Sequence, residues 1–361
     1  MKQEINFEDL YDIKTVSSGI FSTLQTAKSL KTMDKLYTIK TLEVTSVKPE
    51  NLIRAEIKLW EKLKTMEFKP KAIPLFNGFA KGKQKNQFNL IFDIPSKNLK
   101  ETIDELKIKN TVDPFPFEQL KSFFESLVKT FAFLQTMKIC QQDLKPCNLL
   151  LDQNINQIYI IDLAVSKDNI IKANADLKKE FTISGSSSYF PPELDNAQNN
   201  PSIEIDIHKA DVFSLALIFL ELGTSQVPSK IYGAAHWKEE IDNLIKRFKE
   251  IYKNTVQSPE AKRNLEEFVK VLRNCLVFIP DERPDFIELF LGTMRNCENE
   301  RLRMHILLEE EILNLEHLRN LENLIGKDFS FMGASKDNQV DVKIWGKAAN
   351  FIDRDSFVDE E

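Results

Sequence analysis

Two acids stand 19 positions apart, each beside strand-like hydrophobics. Asp143 lies in Gln141-Gln142-Asp143-Leu144-Lys145-Pro146-Cys147-Asn148-Leu149-Leu150-Leu151, and Asp162 in Ile158-Tyr159-Ile160-Ile161-Asp162-Leu163-Ala164. Lys145 and Asn148 follow the first acid at two and five positions. Phosphoryl transfer needs this set: one carboxylate to accept the proton of an attacking hydroxyl, another to bind Mg2+, an amide oxygen for a second Mg2+, and an ammonium to neutralise the moving phosphate. Singly, each residue has a plainer reading, since an Asp before Leu-Lys-Pro is usually a turn or cap and a strand lysine such as Lys40 is usually solvated. The conjunction outweighs those readings. Gly78-Phe79-Ala80-Lys81-Gly82-Lys83 is one residue short of a phosphate-binding glycine loop and lacks Ser or Thr after its lysine, so it reads as a hairpin turn.

Such residues need elements to hold them. Residues 11–16, 22–27 and 35–40 alternate apolar and polar, with Ser17-Ser18-Gly19 as the turn between the first two, and predict an antiparallel meander. After Pro49, Leu52, Ile53, Glu56, Leu59, Trp60 and Leu63 recur at helical spacing and predict a helix over 50–64. Two strand-like segments follow, 71–78 and 87–94. Beyond Pro95 the chain changes to long apolar-periodic stretches: 117–137, 210–221 (apolar on all sides, hence buried), 236–253, 259–275 and 284–292. A β-rich part to residue 94 thus precedes a mostly helical part over 96–292.

Composition sets the outer bounds. The chain has 361 residues, 42% hydrophobic and 29% charged, which suits globular domains with a sizeable core and excludes collagen-like or low-complexity classes. A net charge of −6 argues against a nucleic-acid partner held by a broad basic surface. Four scattered cysteines and four histidines make no zinc spacing, so reduced thiols and a cytoplasmic location are expected. The charged N-terminus is unlike a signal peptide, and the longest apolar run, 215–220, is too short for a membrane span. From Met304 to Ile325 apolar residues recur every three or four positions, which reads as an amphipathic helical extension over 293–326 packing back on the body, or else as a partner coiled coil. Residues 327–361 carry five positive and eight negative side chains with little periodicity and read as a flexible or partner-bound tail. The whole extension, 293–361, is a candidate docking segment.

Taken in order, these motifs resemble the protein kinase superfamily, Ser/Thr type, over residues 11–292. The resemblance implies an α+β, bilobal protein kinase fold, with a small β-rich lobe (11–94), a large helical lobe (96–292) and a C-terminal helical extension. It implies ATP and Mg2+ as cofactors and a protein as substrate or scaffold partner. Lys40 then matches the strand lysine that contacts ATP phosphates and Glu56 its ion-pair partner. Asp143 would be the catalytic base, Lys145 the phosphate-contacting lysine, and Asn148 and Asp162 the metal ligands. Val16, Gly19 and Leu24 would cover the nucleotide, and the backbone of Asp93 to Pro95, after a gatekeeper Phe92, would meet the adenine. Lysine at 145 favours Ser/Thr over Tyr as acceptor. Gly185 to Glu193 resembles the end of the activation segment, while Glu193, Asp211 and Arg283 match buried scaffold groups.

The sequence also departs from the family pattern. G-x-G-x-x-G is Ser17-Ser18-Gly19-Ile20-Phe21-Ser22, and serine crowds the backbone's approach to phosphate. Pro95 has no N–H for the adenine, a loss of roughly 0.5 to 1.5 kcal/mol. H-R-D is Gln141-Gln142-Asp143, so a phosphate on Ser184, Ser186, Ser187 or Ser188 lacks its usual arginine partner. D-F-G is Asp162-Leu163-Ala164, a stiffer turn. Every group that touches phosphate, metal or the transferred proton is present, which favours an active kinase; the alternative is a pseudokinase acting as a non-catalytic scaffold.

Overall fold

Alternation of apolar and polar residues draws the first part of the chain into one antiparallel sheet. The computed structural model describes residues 7–18, 22–32, 35–45, 48–66, 69–82, 84–94, 96–108, 115–152, 154–165, 170–172, 187–197, 204–227 and 234–293. Strands β1 (Leu10–Ser18), β2 (Ser22–Ser29), β3 (Leu36–Glu43), β4 (Phe76–Lys81) and β5 (Gln87–Phe92) lie in the order β1-β2-β3-β5-β4. Register gives each face its task, because directly paired residues share a face. Leu24, Lys40 and Leu90 form one cross-strand row, and Thr26, Thr38 and Phe92 the next. The opposite face carries its own small cluster of Leu10, Ala27, Tyr37, Ile39 and Ile91.

Between β3 and β4, α1 (Glu50–Thr65) buries Ile53, Glu56, Ile57, Leu59, Trp60 and Leu63 at helical spacing. Trp60 packs edge-on against Phe92 at 4.9 Å between ring centroids, and Phe76 closes the trio at 5.5 Å from Phe92. Leu52, grouped with the buried stripe by spacing alone, is exposed on the first turn of the helix.

The helical part begins with β6 (Ser96–Asn98) and α2 (Leu99–Ile108), a helix that the periodicity reading did not anticipate. Then follow α3 (Phe117–Thr136), β7 (Ile139–Cys140), β8 (Leu149–Asp152), β9 (Ile158–Ile160), β10 (Ala164–Val165), β11 (Ile170–Lys172), α4 (Pro192–Ala197), β12 (Glu204–Asp206), α5 (Ile207–Thr224), α6 (Ala234–Thr255), α7 (Pro259–Cys275) and α8 (Phe286–Thr293). Helix α5 starts on the Asp206 side chain, which accepts the Lys209 N–H at 3.1 Å, and is buried all round. One continuous apolar core runs from Leu24 and Phe92 through α3 and α5 to Phe290.

Two strand boundaries differ from the sequence expectation. The segment expected to be extended from residue 71 instead turns at Lys71–Ile73, where the Ile73 N–H donates to Pro70 O at 3.1 Å, and β4 starts only at Phe76. Proline at 70 and 74 explains this, since neither can donate to a ladder. Gly78 to Lys81 belong to β4 rather than to a hairpin turn, with Gly78 at φ +147° on a bulge, and β4 is tied back to β5 just beyond its end by the Gly82 N–H, which donates to Gln87 O at 2.8 Å. Strand β1 also runs through Ser18, so Ser17 and Ser18 belong to the strand rather than to the expected turn. Gly19, Pro95 and the expected extension beyond Thr293 lie outside the described residues.

Candidate active site

The two acids meet because β7 pairs with β10: Ala164 faces Cys140 and Val165 faces Ile139. Asp143 follows β7 by a short turn and Asp162 precedes β10, so the pairing closes the 19-residue separation. The Ile161 N–H donates to Asn148 O at 3.4 Å, adding a rung between the two segments.

Lys40 joins this centre from the sheet. Its Nζ stands 2.6 Å from Glu56 Oε1 and 2.6 Å from Asp162 Oδ1. Lys40 and Glu56 are 3% and 4% exposed and Asp162 27%, so the acid that would meet a metal is the one open to solvent. Burial works to raise the Asp162 pKa, yet the charges of Lys40, Lys48 and Lys145 outweigh it and hold the carboxyl below its ordinary range. Asp162 is therefore anionic at neutral pH.

Around Asp143 the turn is tightly bonded. The Lys145 ammonium contacts the Asp143 carboxylate. Asn148 Nδ2 donates to Asp143 O at 2.9 Å, which commits the amide nitrogen and leaves the amide oxygen as the atom suited to a cation. Gln141 Oε1 accepts the Asp143 N–H at 3.1 Å. Beneath, Asp211 Oδ2 on α5 accepts the N–H groups of Gln141 and Gln142 at 2.9 and 3.2 Å. Gln142 adopts φ +64°, the left-handed bend that lets both amides face one oxygen. Burial pushes the Asp211 carboxyl up to about 7 against those two bonds. Cys147 is no candidate nucleophile, because burial pushes its thiol up to about 11.

The donor set fits a hard divalent cation of the Mg2+ type. Among the described residues no three His, Cys, Asp or Glu side chains gather into a cage. Asp162 and the Asn148 oxygen offer two protein ligands, and Mg2+ ordinarily takes one or two from protein and the rest from water and phosphate.

The residues expected to face a nucleotide are brought together in part. Leu24 sits directly across from Lys40, and Val16, at a register shift in β1, packs half-buried on the core. Asp93 spends its side chain on Lys35 at 2.6 Å and its N–H on Leu75 O at 2.8 Å, so only its carbonyl is left to meet a base. Three participants escaped the sequence reading. Thr38, two residues before Lys40 on the same face, donates to Ile94 O at 2.6 Å. Asn98 donates to Ser17 Oγ at 3.4 Å and to Cys147 O at 3.0 Å, joining β1 to the Asp143 turn. Lys48 Nζ lies 3.3 Å from Glu56 Oε2. Only the type and face of Thr38 were visible as a signal; the other two contacts need the fold.

Scaffold contacts surround the site. Arg283 makes a two-pronged pair with Glu193 at 2.6 and 3.1 Å, donates to Val277 O and Lys209 O, and stacks its guanidinium 4.8 Å from the Phe213 ring. Glu221 on α5, almost wholly buried, accepts from Lys107 at 2.6 Å and from the Tyr189 hydroxyl at 2.5 Å.

Comparison with known proteins adds the following. Residues 11–291 match the protein kinase domain family. A probable serine/threonine-protein kinase, MARK-A, of Dictyostelium discoideum is 24% identical over 326 residues, which is 88% of this chain and 27% of that protein. Mitogen-activated protein kinase kinase 7 of Arabidopsis thaliana is 33% identical over 112 residues, 31% of this chain and 34% of that protein. The chain thus aligns with only about a third or less of each relative's length. Among solved structures, the pseudokinase domain of BIR2, described as an immune regulator of the RLK/Pelle family, superposes with a TM-score of 0.55 at 16% identity, covering 82% of this chain and 83% of that one. That likeness concerns the fold.

Proposed function

The chain belongs to the protein kinase family, and from that premise we propose that it transfers the γ-phosphoryl group of Mg-ATP to Ser or Thr hydroxyls of a protein substrate. The observation that carries this reading is the closed contact of Lys40 with both Glu56 and Asp162 beside the Asp143 turn. Asp143 accepts the hydroxyl proton as the new O–P bond forms; the bond from the γ-phosphorus to the β,γ-bridging oxygen breaks, and ADP leaves with that electron pair. Lys145, already against Asp143, offsets charge on the phosphoryl oxygens, and Lys40 holds the phosphates remaining on the leaving group. Mg2+ bound by Asp162 and Asn148 would supply electrostatic stabilisation of the transferring group. Lysine at 145 and serine/threonine-kinase relatives support the choice of acceptor.

Free thiols at Cys140, Cys147 and Cys275 agree with a reducing, cytoplasmic setting. No helix among the described residues is long and apolar enough to cross a membrane. The extension 293–361 is proposed as the segment that docks a substrate or scaffold; its deletion should lower recovery of a bound protein without abolishing nucleotide binding.

A second reading, a non-catalytic scaffold, is favoured by serine at 17 and 22, Pro95, and the Thr38 hydroxyl engaged on Ile94 O. Radiolabel transfer from ATP separates the two. The enzyme reading expects transfer to a generic Ser/Thr substrate that is lost in Asp143→Asn and Lys40→Met, together with a Mg-ATP thermal shift lost in Asp162→Asn. If the parent transfers no label and shows no shift, the scaffold reading stands.

A further inference from the structure

We propose that Lys48 is a positioning residue: a second lysine that clamps Glu56 from its free side, holding α1 in place and keeping Lys40 aligned. The geometry rests on both oxygens of one buried carboxylate. Glu56 Oε1 receives Lys40 at 2.6 Å, and Oε2 receives Lys48 at 3.3 Å. One cation would leave that carboxylate free to rotate about its last torsion; two cations on different oxygens fix its plane.

Charge balance points the same way. Glu56 and Asp162 both converge on Lys40 at 2.6 Å, two anions on one cation in a place where Lys40 and Glu56 are almost wholly buried. A buried charge left uncompensated is costly, so the cluster needs a second positive group. Lys48 supplies it, and at 20% exposed it keeps part of its hydration, unlike Lys40.

The segment that carries Lys48 is built to aim it. The Lys48 N–H donates to Thr45 Oγ1 at 2.9 Å, and the Thr45 N–H donates to Lys48 O at 3.0 Å, closing a reciprocal turn just after β3. Pro49 then caps α1, with its carbonyl accepting the Leu52 and Ile53 N–H groups. Lys48 is thereby held between the strand that carries Lys40 and the helix that carries Glu56. A phosphate cradle in which serine replaces two glycines lets its backbone approach a phosphate less closely, and a fixed Lys40 offsets that deficit.

The functional half of this proposal rests on the ATP-dependent reading, while its structural half can be tested without nucleotide. The full chain is compared as parent, Lys48→Met, Lys48→Arg and Lys40→Met. In nucleotide-free protein, amide hydrogen exchange across α1 should accelerate several-fold in Lys48→Met and return to the parent rate in Lys48→Arg. With Mg-ATP, Lys48→Met should raise the KM for ATP on the order of tenfold with a smaller change in kcat, again restored by arginine. Unchanged α1 exchange in Lys48→Met overturns the clamp. Accelerated exchange with a parent that neither binds nor transfers phosphate would keep the clamp and sink the ATP reading. An ATP response lost in Lys40→Met but untouched in Lys48→Met removes the functional half.

Discussion

Asp211 lies under the Asp143 turn with one oxygen shared by two backbone N–H groups, and this arrangement gives the residue scale its sharpest consequence. In an unfolded chain its carboxyl titrates near about 3.9. In the folded protein burial pushes it up to about 7. The folded state therefore binds the extra proton between those values, and the stability Asp211 contributes is full at low pH and lost as pH rises toward about 7. Asparagine keeps an oxygen for the two amides and cannot titrate, so Asp211→Asn should flatten this part of the profile. Unfolding midpoints measured from about pH 5 to about pH 8 check it, and parallel curves for parent and variant would contradict the assignment. Asp162 behaves oppositely, for three lysines outweigh its partial desolvation and keep it ionised. Two aspartates around one turn of chain thus titrate in opposite directions, because three lysines outweigh burial at Asp162 while burial outweighs the two amide bonds at Asp211.

Elements are held by contacts of two kinds, and each responds differently to substitution. Helix α4 is tied to the segment before α8 through the Glu193–Arg283 pair, whose donors also satisfy two backbone carbonyls and so leave little polar surface uncompensated. Helices α5 and α6 meet instead by close packing at Gly223. A Cβ there would fall 2.2 Å from a Phe248 ring carbon, and Phe248 is itself fully buried among Tyr252 and Phe268. Gly223→Ala should therefore destabilise by about 1 to 3 kcal/mol through overpacking, although alanine has the better helix propensity. Chemical denaturation reads this directly; a variant as stable as the parent would show that α6 can shift without cost.

Among the described residues, one apolar core joins the inner face of the sheet to the helices, and polar contacts cross the same boundary beside it. Asn98 is one of them. It bonds Ser17 of β1 and Cys147 O of the Asp143 turn, while its own Oδ1 accepts the Lys100 N–H at 2.7 Å to start α2. Serine at 17 thus gains a partner that glycine could not have used. Asn98→Ala should lower the unfolding free energy by about 1 to 3 kcal/mol, since a buried carbonyl loses its donor, and should shrink the Mg-ATP thermal shift as β1 loosens. Calorimetry with and without nucleotide checks both parts, and an unchanged shift would mean that Ser17 is placed by β1 alone.

The order of strands and helices was legible along the chain because period-2 and period-3.6 patterns are local; Asp143, Lys145, Asn148 and Asp162 stood out by type and spacing, while Lys40 and Glu56 entered through the family resemblance, and the fold brings Lys40 against Glu56 and Asp162. Helix α2 was missed because its ten residues are short and follow a proline, and β4 was begun too early because an apolar run containing Pro74 looks extended until its hydrogen bonds are traced. Sequence patterns report which face of an element is apolar, but not which residue stands opposite it. That Lys48 should reach the second oxygen of Glu56, that Thr38 should bond Ile94 O, and that Asn98 should join Ser17 to Cys147 are consequences of register and packing between segments far apart in the chain. Residue types along the chain thus determined the chemistry available to this protein, while the tertiary structure alone decided how those groups share charge, since Coulomb forces and hydrogen bonds depend on distances that only the folded chain defines.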